Sequence, residues 1–191
     1  MFKETAASVC RKHMQRWLTE LVDCVTGYQL DVAIPCLVAL LAIYDGEVLP
    51  TIEEIPVICG VHATDPRRRM WHWLLKVKEM GFSGINNFPT HCIVDGQFRK
   101  VLEETGMPFS KEVETVAIAS KMDLFSVVYV AKPEEAAAMA KAGADAIIAH
   151  VGTTVGGSIG VTGAVCSMED AAARCQEIFE AARAVNKDIF L

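Results

Sequence analysis

The chain has 191 residues, of which 52% are hydrophobic and 22% charged, and its formal net charge is −6. This length supports one substantial hydrophobic core and is short for two ordinary domains. A negatively charged chain without a lysine- or arginine-rich surface has little with which to neutralise phosphates, so nucleic acid is excluded as the expected main partner. The one basic cluster, Arg67-Arg68-Arg69, is interpreted as a solvated helix start.

The cysteines and the apolar runs indicate the compartment. The seven cysteines are scattered without a CxxC pair, which argues against a zinc site and a disulfide framework and favours a reducing cytosol. The N-terminus lacks the basic-then-apolar order of a secretory signal. The longest apolar run, at about residues 33–44, is shorter than the roughly 20 residues of a membrane span. We therefore expect a cytoplasmic protein that does not enter a membrane.

From residue 55 onward, strand-like and helix-like segments alternate with short connections, which predicts a parallel sheet. Pro66 is expected at the first position of the first helix, with Thr64 or Asp65 as its N-cap. The sheet either is open and doubly wound or closes as a (β/α)8 barrel, which typically needs about 250 residues, so the pattern leaves both closures open. The predicted strands are 55–63, 82–87, 124–130, 144–149 and the start of another at 188–191, and the predicted helices are 66–80, 98–105, 111–122, 133–142 and 168–185.

The first 49 residues follow a different pattern and are predicted to form an atypical, largely helical segment. Residues 2–25 can form an amphipathic helix with one apolar stripe. No glycine-rich junction between a strand and a loop appears before residue 45. The predicted boundary therefore separates segment 1–49 from an α/β domain over 50–191.

Several ordered stretches of the α/β domain match one family. They are GVHATDP at 60–66, GFSGINNFPT at 81–90, DGQFR at 95–99, LEETGM at 102–107, EVE at 112–114, the stretch 142–160, and AARAVN at 181–186. In these stretches the chain resembles the phosphoenolpyruvate hydrolase-like TIM-barrel family, which also supplies the barrel domain of a plant antiviral resistance protein. The resemblance implies an incomplete barrel of about strands three to seven, with a replaced front end and a missing back end.

The resemblance also implies chemistry on a small phosphorylated or 2-oxo-acid substrate with Mg²⁺. Such chemistry needs hard oxygen ligands, donors for a carboxylate or phosphate, and a group that moves a proton. Asp65, just past the first strand, is the expected metal ligand, with a helix N-cap as its alternative. Histidine is the side chain best suited to proton transfer near neutral pH. His150, at the end of a strand, is the expected catalytic group and His62 a substrate-binding one, while His91 is interpreted as incidental.

The loop after the second strand and one helix provide further candidates. Asn87 is expected to be catalytic, and Asn86 and Thr90 to bind substrate, because amides and hydroxyls there can orient an anionic oxygen; backbone hydrogen bonding within the loop is the alternative. Of the adjacent Glu103 and Glu104 at most one can face the site, since neighbours on a helix point in different directions. Glu104 is the candidate, and two solvated glutamates are the alternative.

The glycine-dense stretch that follows His150 is the expected anion site. Its spacing matches neither the P-loop nor the dinucleotide-binding fingerprint. Glycines let backbone N–H groups approach a phosphate or carboxylate, whereas a flexible surface loop is the alternative. The expected binding residues are Gly152, Gly156, Gly157, Ser158 and Gly160.

Three hypotheses about function follow. The first is a hydrolase or lyase of the phosphoenolpyruvate type that binds a small anionic substrate. The second is a non-catalytic binding or regulatory module, which the absent front end favours. The third is an inactive truncated fragment, whose unpaired sheet edges and exposed apolar faces predict a homo-oligomer.

Overall fold

The computed structural model describes residues 56–150 and 167–191. Two sets of predictions therefore lie outside the described residues. One is segment 1–49 with its helix over 2–25 and the boundary at residue 50. The other is the anion site of Gly152, Gly156, Gly157, Ser158 and Gly160.

The described residues form an α/β fold in which strands and helices alternate. None of the described helices is long and apolar enough to cross a membrane. In chain order the elements are β1 (Ile58–Gly60), α1 (Met70–Glu79), β2 (Gly84–Asn86), α2 (Gly96–Glu104), α3 (Ser110–Lys121), β3 (Phe125–Val130), α4 (Pro133–Ala142), β4 (Ala146–Ala149) and α5 (Met168–Val185).

The four strands form one parallel sheet in the order β1-β2-β3-β4. Each strand pairs with the next in the chain, whereas a doubly wound sheet reverses its strand order. The predicted strand at 188–191 is present only as a parallel bridge between Ala146 and Phe190. This topology confirms a parallel α/β sheet and is consistent with part of a TIM-barrel wall.

Alternating side chains of the strands face two different environments. Val128, Val130 and Ile147 pack into a buried cluster with residues of the helices, such as Met139 and Ile178. The other face carries a smaller cluster built on Phe125 and Ala146, with Ile58, Val127 and Phe190 packed against it. Asn86 and Tyr129 lie two residues from members of this face and therefore share it with Phe125.

The first helix begins four residues later than predicted. The Asp65 carboxylate accepts a hydrogen bond from the Arg67 backbone N–H at 2.9 Å, and the Asp65 carbonyl accepts one from the Arg68 N–H at 3.2 Å. These bonds form a turn. The helical ladder begins only where the Trp73 N–H reaches the Arg69 carbonyl at 3.0 Å. The prediction of a helix from Pro66 with Thr64 or Asp65 as its N-cap was therefore wrong.

The remaining helix ends confirm their predicted signals. Gly143 ends α4 in the left-handed region, at φ 96°, where glycine carries no Cβ penalty. Ser167 caps α5 by accepting a hydrogen bond from the Asp170 N–H at 3.0 Å, as expected of a capping box.

Candidate functional site

Polar and aromatic side chains gather where the parallel strands end. His62 lies two residues after β1, Asn86 ends β2, Tyr129 lies near the end of β3 and His150 follows β4. Carboxyl ends of neighbouring parallel strands meet at one edge of a sheet, which is where α/β proteins bind ligands. We call the ends of β1–β4 and the residues that follow them the carboxyl edge.

The two asparagines of this edge hold strands together. The Asn87 Oδ1 accepts a hydrogen bond from the Tyr129 N–H at 2.7 Å, and its Nδ2 donates to the Tyr129 carbonyl at 3.0 Å. The Asn87 amide thus replaces a backbone peptide in the ladder beyond β2. Asn86 donates to the Val127 carbonyl at 2.9 Å and accepts from the Phe88 N–H at 2.8 Å. The structure therefore gives both predicted site residues the positioning contacts of the alternative interpretation.

A buried carboxylate, Glu112 of α3, holds the loop after β2 from below. It is only 1% exposed and accepts three hydrogen bonds of 2.7 Å, from the Asn87 amide, the Thr90 hydroxyl and the His91 backbone N–H. Burial raises the pKa of this carboxyl, and the three bonds offset only part of that effect. Glu112 is the main organising residue of the edge.

The sequence carried a signal for Glu112 that pointed away from a surface role. Buried residues of α3 recur at Glu112, Thr115, Val116 and Ala119, which is the spacing of one helix face. A carboxylate on the apolar face of a helix needs buried partners. Of the glutamates, only Glu103 and Glu104 were expected from the sequence as candidates for the site. Glu104 is exposed at the end of α2 and makes no hydrogen bond with a described residue of the edge.

The raised pKa of the Glu112 carboxyl predicts a pH-dependent contribution to stability. The unfolded chain releases this proton near the ordinary value of 4.5, while the folded chain retains it to higher pH. The contribution is therefore complete below the unfolded pKa and decreases as the pH rises through the folded pKa. Urea unfolding of the wild type and of Glu112→Gln from pH 4.5 upward should show a wild-type advantage that shrinks with rising pH. A constant or growing advantage would contradict the raised pKa.

An arginine connects the same loop to the next element. Arg99 donates to the His91 carbonyl at 2.6 Å and pairs with Glu103 at 2.7 Å and with Glu135 at 3.3 Å. Glu135 in turn accepts from the Ala131 N–H, just after β3, at 3.0 Å. Glu103 and Glu135 thus fix Arg99 against the loop. Of the paired glutamates, Glu103 carries this structural contact.

Two histidines meet across a threonine beside this loop. The His62 Nδ1 lies 3.3 Å from the Pro89 carbonyl, and its Nε2 lies 3.2 Å from the Thr64 hydroxyl. The same hydroxyl lies 3.4 Å from the Nε2 of His91, which is 6% exposed. The two imidazole rings are 6.1 Å apart. His91, interpreted from the sequence as incidental, is therefore part of the edge.

Aromatic rings line the other half of the edge. The Tyr129 ring lies 5.9 Å from the His150 ring and 6.1 Å from the Phe88 ring, both edge to face. The His150 backbone N–H donates to the Val130 carbonyl at 2.7 Å, which continues the ladder past β4. His150 is half-buried at the last position before the undescribed stretch. Its predicted position at a strand end is confirmed.

The predicted metal ligand Asp65 makes ion pairs with neighbouring arginines. Its two oxygens lie 3.3 Å from the Arg67 Nε and 3.1 Å from the Arg68 Nε. The Arg67 N–H and these guanidinium groups lower the pKa of the Asp65 carboxyl. Residues 56–150 and 167–191 contain no group of three histidine, cysteine, aspartate or glutamate side chains that could hold a metal ion. The described ligands therefore do not fit Mg²⁺, which stays a prediction.

Cys92, buried beside Thr90, does not suit a nucleophile. Burial raises the pKa of its thiol to about 12, so the thiolate that attacks a substrate is scarce at neutral pH. The Cys92 backbone N–H donates to the Thr90 hydroxyl at 3.1 Å. The part of this loop around Thr90 is thus structural.

Comparison with known proteins identifies the family of this fold. The phosphoenolpyruvate hydrolase-like family matches residues 38–191. The chain belongs to the phosphoenolpyruvate hydrolase-like family. The match begins at residue 38, ahead of the predicted boundary at residue 50. It includes the whole carboxyl edge and the glycine-rich stretch.

Similar proteins come from a plant and a bacterium, and the chain spans about a fifth of their lengths. It is 49% identical over 143 residues to the ToMV susceptible protein tm-1(GCR26) of Solanum lycopersicum, and 48% identical to the ToMV resistance protein Tm-1(GCR237). These matches cover 75% of this chain and 19% of each relative. The chain is also 36% identical, over 75% of its own length and 23% of the relative, to a putative transcriptional regulatory protein, y4pA, of Sinorhizobium fredii strain NBRC 101917 / NGR234.

Proposed function

We propose that the chain forms part of a (β/α)8 barrel whose carboxyl edge binds a small anionic substrate, either phosphorylated or a 2-oxo acid. The observation that carries this proposal is the pair of half-buried histidines, His62 and His150, beside a polar loop that Glu112 holds in place. Parallel α/β folds bind their ligands at this edge. The family description supports a substrate of the phosphoenolpyruvate type.

In this proposal the side chains of the edge divide the work. The imidazoles of His62 and His150 move protons, since histidine changes its charge near neutral pH. The loop that contains Asn87 and Thr90 stays in place through Glu112 and Arg99, so that the edge is preorganised. Backbone N–H groups of Gly152, Gly156, Gly157 and Gly160, with the Ser158 hydroxyl, are proposed to bind the phosphate or carboxylate. No step uses Mg²⁺, because the described residues offer no ligand set for it.

The proposal predicts that the chain binds phosphoenolpyruvate and that His150 contributes to binding. Loss of a hydrogen bond to a charged ligand lowers affinity about tenfold or more. We expect His150→Gln to lower the affinity for phosphoenolpyruvate by this factor in isothermal titration calorimetry, with and without Mg²⁺. His72→Gln is the matched control, because His72 is exposed on α1, away from the carboxyl edge.

Two outcomes would count against this proposal. Binding that is equally weakened by His150→Gln and His72→Gln would show that the effect is unspecific. No detectable heat and no thermal shift with phosphoenolpyruvate would remove the anionic substrate. An affinity that appears only with Mg²⁺ and is lost in Asp65→Asn would instead support the predicted metal ligand.

A non-catalytic binding or regulatory module is the second candidate. The amides of Asn86 and Asn87 and the hydroxyl of Thr90 are all used in internal hydrogen bonds, which leaves fewer groups to contact a substrate. One relative is named as a resistance protein and another as a putative transcriptional regulatory protein. A module of this kind should lose little on alanine substitution of His150 and Asp65, whereas an enzyme loses its activity. The expected homo-oligomer stays a prediction under either function.

A further inference from the structure

His62, Thr64 and His91 form one continuous hydrogen-bonded chain at the carboxyl edge. The chain runs from the Pro89 carbonyl to the His62 Nδ1 at 3.3 Å, and from the His62 Nε2 to the Thr64 hydroxyl at 3.2 Å. It continues from that hydroxyl to the His91 Nε2 at 3.4 Å. Thr64 and His91 are buried, whereas His62 is half-buried. The chain thus connects the interior to the candidate site.

The first contact determines the direction of every bond in the neutral chain. A carbonyl oxygen only accepts, so the proton of the His62 ring lies on Nδ1, and Nε2 carries a lone pair. The Thr64 hydroxyl must then donate to the His62 Nε2. Having used its one proton, the hydroxyl accepts from the His91 ring, whose proton therefore lies on Nε2. The two histidines are thereby assigned opposite tautomers.

An independent observation agrees with this direction. The Nδ1 of His91 is the one buried side-chain nitrogen or oxygen among the described residues that has no hydrogen-bond partner. In the assigned tautomer this atom is a lone pair rather than an N–H group. The backbone of Met107 lies close enough to favour a protonated ring, yet Nδ1 makes no hydrogen bond. An unpaired acceptor at the end of the chain is what the assigned direction requires.

The charges around His91 keep its ring neutral. Burial lowers the pKa of His91, and the nearby Arg99 guanidinium and the His62 ring lower it further. The Met107 backbone and Glu103 oppose these effects without cancelling them. Glu112 faces the backbone N–H of His91 rather than its ring. Of the two bridged histidines, the half-buried His62 is thus the one positioned to exchange a proton at the edge.

We propose that Thr64 and His91 are positioning residues that hold His62 in the Nδ1-protonated tautomer. The Thr64 hydroxyl fixes the ring plane of His62 and donates to the atom that accepts a proton. His91 orients that hydroxyl by donating to it. The use of His62 in proton transfer depends on the proposed function, whereas its tautomer does not.

Long-range ¹H–¹⁵N NMR of the histidine rings at about pH 8, where imidazoles are neutral, tests the proposal without any ligand. The expected spectrum shows His62 protonated on Nδ1 by about tenfold or more, because two hydrogen bonds select that form. It shows His91 protonated on Nε2. Substitution of each histidine by glutamine assigns its signals. His72, exposed on α1, is the internal reference for an unconstrained ring.

Thr64→Val removes the hydroxyl and keeps the shape of the side chain, while Thr64→Ser keeps the hydroxyl. The valine variant should lower the His62 tautomer excess about fivefold, the effect of one hydrogen bond, and the serine variant should preserve it. A wild-type His62 protonated on Nε2, or two histidines of the same tautomer, would overturn the proposal. So would a valine variant with the wild-type ratio. If the valine variant does not fold, the wild-type tautomers decide. Failure to bind phosphoenolpyruvate would leave these outcomes unchanged.

Discussion

Replacement of Glu112 by alanine is expected to lower the free energy of unfolding by about 3 kcal/mol or more. The carboxylate accepts from three donors, and its removal leaves the Thr90 hydroxyl and the His91 N–H buried without it. Each unpaired buried donor costs about 1–3 kcal/mol, and the space left by the side chain adds to the loss. The loop after β2 should loosen first, because these bonds attach it to α3. Urea unfolding at pH 7, followed by circular dichroism, measures the change.

Glu114→Ala is the control for this substitution. Glu114 lies on the same helix two residues later and is exposed, so its truncation should change stability by no more than about 0.5 kcal/mol. Equal losses in the two variants would show that Glu112 does not organise the edge. Hydrogen exchange at the His91 amide gives a local measurement. It should accelerate in Glu112→Ala and stay at the wild-type rate in Glu114→Ala.

Replacement of Gly84 by alanine should lower the free energy of unfolding by about 3 kcal/mol. Gly84 begins β2 and pairs with Ile58 of β1 and Phe125 of β3. A Cβ at this position would lie 2.2 Å from the Phe125 carbonyl oxygen and 2.9 Å from the Ile58 Cδ1. A backbone oxygen in a parallel ladder cannot move without breaking its neighbours' hydrogen bonds. The sheet must therefore separate locally, and the thermal midpoint should fall.

Gly96→Ala separates this steric effect from backbone conformation. Gly96 has φ +55°, and no atom lies within 4 Å of the place that a Cβ would take, so an alanine there has room but adopts a left-handed backbone. That conformation costs about 1 kcal/mol. Gly84→Ala should thus be clearly the more destabilising of the two. A smaller effect at Gly84 than at Gly96 would contradict the close approach of β2 and β3.

The helices and strands followed largely from local patterns. Alternation of apolar runs with capped amphipathic segments predicted the parallel sheet, and the Ser167 cap and the end of α4 at Gly143 appear where expected. These features depend on residues within a few positions of one another, so a sequence displays them directly. The start of α1 was predicted wrongly because Asp65 and Pro66 also suit a helix cap. The Asp65 carboxylate bonds instead to the Arg67 N–H in a turn.

The candidate site was predictable in place but not in its contacts. His62, Asn86, Asn87 and His150 were all expected at strand ends, and the structure places them at the carboxyl edge. Their partners, however, are remote in sequence. Asn87 bonds to Glu112 and Tyr129, 25 and 42 residues away. No local pattern indicates which of several glutamates reaches an amide across a sheet.

The sequence alone therefore determined the family, the parallel α/β fold and the strand ends that carry polar groups, because periodicity, caps and ordered motifs are local properties of the chain. The tertiary structure decided what those groups do. It assigns Asn86, Asn87 and Thr90 to internal hydrogen bonds, pairs Asp65 with arginines, and brings Glu112 and His91 into the edge. Hydrogen-bond capacity is limited, and each donor or acceptor used internally is withdrawn from a ligand. Only the folded arrangement shows which capacity has been used.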